Sequence, residues 1–238
     1  MSDDRAERTS VGDRVYERLL AMLIDGEIEP GQRIRVDAIS RQLGVSQTPV
    51  RESLLRLEAE DLVEKRHLIG YSATPRLSPA RFEELFEARF LIEPYCAGLA
   101  ASRHQSGQLE TLVGLAEEMR RGYESGELSY GAFAKSDAEL HRALIGATGN
   151  GYFSEIFAKL HAHLQLFRLL RDSSVTEDAL TEHDRIIRAI RDRDSDAANE
   201  AMAAHLTASR SRLRRAFDQH HQASESSQRD REEPSEVS

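Results

Sequence analysis

Residues 43–64, LGVSQTPVRESLLRLEAEDLVE, constrain this chain more than any other stretch. Gly44 ends one short helix and opens a tight turn, and Ser46 or Thr48 can cap the helix that follows. Pro49 falls in that helix's first turn, where its missing N–H removes no hydrogen bond. Val50, Leu54 and Leu57 recur at i, i+4, i+7, the spacing of a core-facing stripe. Arg51 lies about 100° around the axis from Val50, so Gln47, Thr48 and Arg51 face outward. Upstream, Val36, Ile39 and Leu43 give the partner helix its own apolar stripe. Two helices joined by a short glycine turn, the second opening on polar residues, make a helix-turn-helix. In that geometry the start of the second helix enters the major groove and reads base edges.

A formal net charge of −9 runs against nucleic-acid binding until its distribution is considered. Arg33, Arg35, Arg41, Arg51 and Arg56 stand against only Asp37 and Glu52 across residues 33–57. Phosphate contact needs a basic surface, not a basic chain. The acidic excess elsewhere suppresses non-specific binding. At 238 residues the chain is long enough for two small domains, each with its own core. No run is apolar for long enough to span a membrane, and MSDDRAERTS is too polar for a signal peptide. A single cysteine, Cys96, excludes an internal disulfide and fits a reducing compartment, so the expected place is the cytoplasm.

In chain order, residues 1–10 read as a disordered arm and 11–24 as a helix ended by Asp25-Gly26. Glu29-Pro30-Gly31 is a turn. After the helix pair, residues 62–66 and 71–74, joined across 67–70, read as a short β-hairpin wing. Residues 74–79, with two prolines, form a linker, and Ser78-Pro79 starts a new helix. From there everything reads helical: through about residue 104, then 106–125, 130–147, 152–171, 176–193 and 195–217. The tail from Asp218 is nearly devoid of apolar residues and is expected to be disordered. His220-His221 reads as a solvated pair. The expected organisation is an arm (1–10), a winged-helix DNA-binding domain (11–76), an all-α effector and metal-binding domain (77–217) and a tail (218–238). The fold class is mainly α.

Histidines carry the chemistry of the second half. Asp137 and His141 are i, i+4 on one helix and can reach one point. His183 and His205 arrive on two further helices, each beside apolar neighbours that point inward. Three imidazoles and a carboxylate converging in a bundle suit a first-row divalent metal, with zinc, nickel and manganese admissible. The alternative is a set of buried histidines satisfied by side-chain partners on helices that do not converge. Arg89, one turn before Glu93, either meets a carboxylate ligand in that cavity or forms a structural ion pair. His161 and His163 are two apart, so at most one lines the cavity.

Residues 11–76 resemble the winged-helix domain of the GntR family of bacterial transcription regulators. The resemblance rests on Pro30-Gly31, on Leu43-Gly44-Val45-Ser46 and Thr48-Pro49-Val50-Arg51-Glu52, and on Leu57-Glu58 with Leu62-Val63. It implies DNA contacts from Arg35, Ser46, Gln47, Thr48 and Arg51, with His67 or Arg66 reaching a phosphate from the wing. Two departures stand out. The wing turn, usually basic in the family, is Leu68-Ile69, and Gln47 replaces a frequent arginine, which shifts base preference towards adenine. Residues 80–217 resemble the ligand domain of the FadR-type subfamily. Here the match runs through Ala88-Arg89, Leu91-Ile92-Glu93-Pro94, residues 133–150, Glu182-His183, Ala189-Ile190 and His205-Leu206. This implies that Asp137, His141, His183 and His205 bind a divalent metal, zinc foremost, while water or effector completes the coordination.

The resulting expectation is a repressor that reads a palindromic operator as a homodimer and answers to a small carboxylate effector, with Arg89 as an effector contact. The alternatives are a metal-dependent hydrolase fused to a DNA-binding domain, and a direct metal sensor.

Overall fold

The computed structural model describes residues 10–66, 70–128, 130–160 and 174–232. The expected contact of His67, the Leu68-Ile69 turn, His161 and His163 lie outside them, as does most of the arm.

Helix α1 (Val11–Ile24) starts at Ser10, whose hydroxyl accepts from the Asp13 amide at 3.1 Å. It lays Val15, Leu19, Leu20 and Leu23 against α3 (Gln47–Ala59), which returns Val50, Leu54 and Leu57. The short α2 (Val36–Leu43) contributes Ile39 and ends at Gly44, whose φ of +65° is the left-handed cap that glycine adopts without strain. Ser46 occupies the N-cap of α3, but its side chain makes no capping bond. Ser53, buried within α3, donates instead to the Gly12 carbonyl at 3.2 Å and the Pro49 carbonyl at 2.8 Å, tying α3 to the start of α1. These bonds and the shared apolar face set the direction of the helix-turn-helix.

The wing is more than the expected hairpin. Strands β2 (Val63–Arg66) and β3 (Gly70–Ala73) pair antiparallel, but β1 (Arg33–Ile34) adds to the far side of β3, giving the order β1-β3-β2. Ile34 stands opposite Tyr71, and Lys65 faces it from the other side. Two residues show no alternation, so β1 is invisible to periodicity.

The second half is helical throughout its described residues: α4 (Pro79–Arg103), α5 (Ser106–Glu124), α6 (Tyr130–Gly146), α7 (Gly151–Leu160), α8 (Ser174–Arg191) and α9 (Ser195–Glu232). Ser78 caps α4 by accepting from the Arg81 amide, with Pro79 at the first helical position as expected. The core joins Cys96, Ala97 and Ala100 of α4 to Leu112 and Met119 of α5, Leu140 and Leu144 of α6, Ile186 and Ile190 of α8, and Met202 and Leu206 of α9.

Helix α9 continues past Phe217 to Glu232, into the stretch expected to be a disordered tail. Residues 195–232 contain neither glycine nor proline, and Pro234 is the first breaker. A helix once nucleated in the bundle propagates with one backbone hydrogen bond per residue and needs no apolar face to continue.

Helix α6 belongs to both halves. Ala134 is wholly buried in the core of the DNA-binding half, and Lys135 reaches Glu17 of α1 at 2.5 Å. Asp137, about one turn further along, and His141, about two turns along, are both buried. Leu54, with no solvent exposure, sits at the centre of the α1–α3 contact. Leu54→Ala should cost about 2–5 kcal/mol of stability, read as a lower urea midpoint at an unchanged slope.

Candidate functional site

The three histidines converge. Each of His141 on α6, His183 on α8 and His205 on α9 offers a ligand atom within 4.8 Å of the others, and all three are buried. Their ring centroids stand 4.9–5.6 Å apart. Asp137 joins them through Oδ1, 3.2 Å from His183 Nε2. The structure therefore brings the three histidines together and sets Asp137 beside His183, and the helices that carry them do meet.

Two of the imidazoles are oriented from behind. His141 Nδ1 lies 2.5 Å from Glu93 Oε2, and Glu93 is held by Arg89, whose Nε donates to Oε1 at 2.5 Å and whose Nη2 lies 3.3 Å from Oε2. His205 Nδ1 lies 2.8 Å from Glu182 Oε2, and Arg212 forks onto both oxygens of Glu182 at 2.6 and 2.7 Å. His183 differs. Among the described residues, both its ring nitrogens are buried without a hydrogen bond, the Asp137 contact not being aligned to make one.

Electrostatics favour a neutral ring at His205 and a charged carboxylate at Glu182. Burial pushes the His205 imidazole down to about 4 against the hydrogen bond it donates to Glu182, and His183 and His141 push it the same way. Burial acts to raise Glu182, yet the hydrogen bonds from Arg212 and His205 outweigh it and hold the carboxyl at about 2. Neutral imidazoles with one nitrogen committed to a carboxylate are the form that ligates a metal through the other. A buried histidine with two unbonded nitrogens is costly unless something accepts from or binds to it, and a divalent metal does so. The donor set thus fits zinc, nickel or manganese. The space that described residues line beside the rings is about 10 Å³, bounded by Leu112, Leu140, Leu144, Ile186, Ile187 and Met202.

Arg89, expected to meet an effector, meets Glu93 instead and is 2% exposed. Glu139 lines the cleft between the halves, away from the histidines. Sequence reading missed the roles of Glu93, Glu182 and Arg212. Glu182 directly before His183, and Arg89 at i, i+4 from Glu93, were visible signals. Arg212 carried none.

On the other half, Ser46, Gln47, Thr48 and Arg51 stand exposed at the start of α3. Arg51 Nη2 lies 3.5 Å from Gln47 Oε1, so the two side chains share one face. A groove beside them is lined by Arg33, Arg35, Gln47, Arg51, Lys65 and Asp37. Asp37 pairs with Arg35 at 3.3 Å and Arg41 at 3.2 Å on an exposed surface, where such pairs exchange readily for phosphate. Sequence reading counted Arg33 among the basic residues and passed over Lys65, and the β1-β3-β2 order places both here.

A winged helix-turn-helix carried on an all-α bundle is the architecture of a DNA-binding regulator. Comparison with known proteins agrees. Residues 11–71 match "Bacterial regulatory proteins, gntR family", and residues 84–208 match the FCD domain. A transcriptional regulator from an unstable DNA locus of Streptomyces ambofaciens is 30% identical, over 82% of this chain and 81% of that one. The galactonate operon transcriptional repressor of Escherichia coli K12 is 24% identical, over 85% and 96%. The solved structure of E. coli McbR/YncC shares the fold at a TM-score of 0.67 and 19% identity, over 87% of this chain and 99% of that one. This chain belongs to the GntR family of bacterial transcription regulators, with an FCD domain as its C-terminal half. Its relatives are regulators rather than enzymes, which removes the hydrolase alternative. Among the described residues, no helix is long and apolar enough to cross a membrane.

Removing Glu93 would leave Arg89 as a buried charge without its counter-ion. Glu93→Ala should therefore destabilise the protein by about 3–5 kcal/mol, measured by urea denaturation of metal-free protein.

Proposed function

We propose that this chain is a cytoplasmic, metabolite-responsive repressor that binds a palindromic operator as a homodimer. Its bundle would hold a divalent metal through Asp137, His141, His183 and His205, zinc foremost with nickel and manganese admissible. The observation that carries this reading is the buried three-histidine cluster with Asp137 3.2 Å from His183. DNA recognition is assigned to Gln47, Thr48 and Arg51 at the start of α3, with Arg35 and Ser46 at its flank and His67 on the wing. Dimerisation has two supports. One recognition helix reads too few base pairs for specificity, and a two-fold protein matches a palindrome. In addition, Leu91 and Tyr95 of α4 and Tyr152 and Ile156 of α7 stand exposed, with Tyr95 in ring contact with Phe153 at 5.9 Å. Apolar side chains gathered in this way commonly mark a protein interface.

The effector is proposed to be a small organic acid. A metal in this site is the natural anchor for a carboxylate, and a relative is named for the galactonate operon, whose name is that of a sugar acid. Arg89 is engaged with Glu93, so the direct carboxylate contact is assigned to the metal, with Arg89 as supporting charge behind it. Binding would shift the DNA-binding half if the acid prefers one arrangement of the helices over the other. Helix α6, which carries Asp137 and His141 and also contacts α1, is the shortest route.

Arg51→Ala should abolish specific operator binding, losing about 1–3 kcal/mol at each half-site, with fold and dimer intact. A shift assay at matched salt checks this, and unchanged affinity would remove α3 from the groove. For the sensor, chelation should lower the melting temperature of wild type but not of a His183→Ala/His205→Ala double mutant. Calorimetric titration of metal-loaded protein with mono-, di- and tricarboxylates should then yield a ligand that releases the operator. Operator release by a neutral compound alone would discard the acid, and metal alone acting as the signal would leave a direct metal sensor.

A further inference from the structure

We propose that Arg89–Glu93 and Arg212–Glu182 are paired positioning arms that fix His141 and His205 in the tautomer presenting Nε2 to the metal. This rests on the metal reading above and concerns residues outside its ligand set.

The two arms come from different helices and converge on the same chemistry. On the first, Arg89 and Glu93 are i, i+4 on α4 and reach across to His141 on α6. On the second, Glu182 of α8 reaches His205 on α9, and Arg212, two turns beyond His205 on the same helix, closes onto it. Each carboxylate therefore sits between a guanidinium and an imidazole Nδ1. An ionised carboxylate only accepts, so the Nδ1 facing it carries the proton and the lone pair resides on Nε2.

The arginines do what a carboxylate alone would not. A bare glutamate one ring away from a divalent metal is a competing ligand. Glu182, with both oxygens forked by Arg212 and Oε2 also taken by His205, is committed elsewhere. Glu93 is likewise engaged through both oxygens, with Arg89 and with His141. Each arm is also neutral overall, so it adds basicity to its histidine without adding net charge to the bundle. With neutral arms and rings, a divalent metal and the single carboxylate of Asp137 leave one positive charge, the complement of one effector carboxylate. His183 has no such arm among the described residues, and its Nε2 lies 3.2 Å from Asp137 Oδ1 without a hydrogen bond to it. The arms thus account for two of the three imidazoles.

The Arg212 arm is the better one to test, because Arg212 and Glu182 are partly solvent-accessible whereas Arg89 and Glu93 are wholly enclosed. Full-length Arg212→Gln, Arg212→Lys and Glu182→Gln are compared with wild type for zinc affinity, by competition with a chromophoric chelator. Each is first confirmed helical by circular dichroism. Arg212→Gln and Glu182→Gln should weaken zinc binding by about 10–100-fold, the usual effect of losing such a partner, and Arg212→Lys should recover most of it. A second readout needs no metal. In ¹⁵N-histidine spectra of the metal-free protein, the His205 signal, assigned by its absence in His205→Gln, should report Nδ1–H in wild type and a mixture of tautomers in Glu182→Gln. A role in packing alone would leave that signal unmoved. Wild type that takes up no zinc, nickel or manganese would overturn the metal reading and this inference with it. Tight binding by wild type, with unchanged affinity and tautomer in folded variants, would overturn the inference alone.

Discussion

Everything in the C-terminal half depends on how an apolar helical bundle accommodates a polar centre. Three imidazoles, one aspartate and two arginine–glutamate pairs are buried there or nearly so, and unpaired charge in such a place is strongly unfavourable. Compensation is arranged in concentric steps. Guanidinium meets carboxylate, carboxylate meets imidazole, and the inner nitrogens face one another. Because the partners lie on α4, α6, α8 and α9, the same contacts that neutralise the charge fix the four helices relative to each other. Structure and site are here one network.

This arrangement explains why α6 can act as more than a bundle helix. Its Asp137 and His141 belong to the polar centre, while Ala134 lies in the core beneath the helix-turn-helix and Lys135 pairs with Glu17. The cleft between the halves holds a second set of contacts. Tyr16 donates to Glu60 at 2.7 Å, and Arg56 lies 4.0 Å over the Tyr16 ring while pairing with Asp13. Arg56 is on α3, so the helix that presents Arg51 is tied through α1 to the face that α6 touches. A small shift of α6 therefore has a packed route to α3, since close-packed contacts transmit displacement rather than absorb it.

The DNA-binding half resolves the contradiction between an acidic chain and a nucleic-acid target. The β1-β3-β2 sheet gathers Arg33 and Lys65 beside Gln47 and Arg51, so the positive groups concentrate on one groove. Acidic residues nearby, Asp37 above all, pair with arginines at the surface, where solvent screening keeps such pairs weak and exchangeable. Local charge, not the total, governs what this surface attracts.

Whatever repeats locally was legible along the chain. The stripe Val50–Leu54–Leu57, the Gly44 turn, the Ser78-Pro79 helix start and the succession of helices after residue 79 follow from periodicities and caps within a few residues. Asp137 and His141 could be paired on one helix for the same reason. Spacing made His183 and His205 candidates to join them but could not bring them there, because convergence of α6, α8 and α9 depends on crossing angles that no single helix encodes. It took packing in three dimensions to assign Arg89 to Glu93, to set Glu182 against His205 rather than its neighbour His183, and to complete the second arm with Arg212. The same holds for β1, which exists as a strand because β3 supplies its hydrogen bonds, and for α9, whose length reflects propagation from the bundle. Local propensity is written in neighbouring residues. Partnership between distant side chains is settled only when the helices pack.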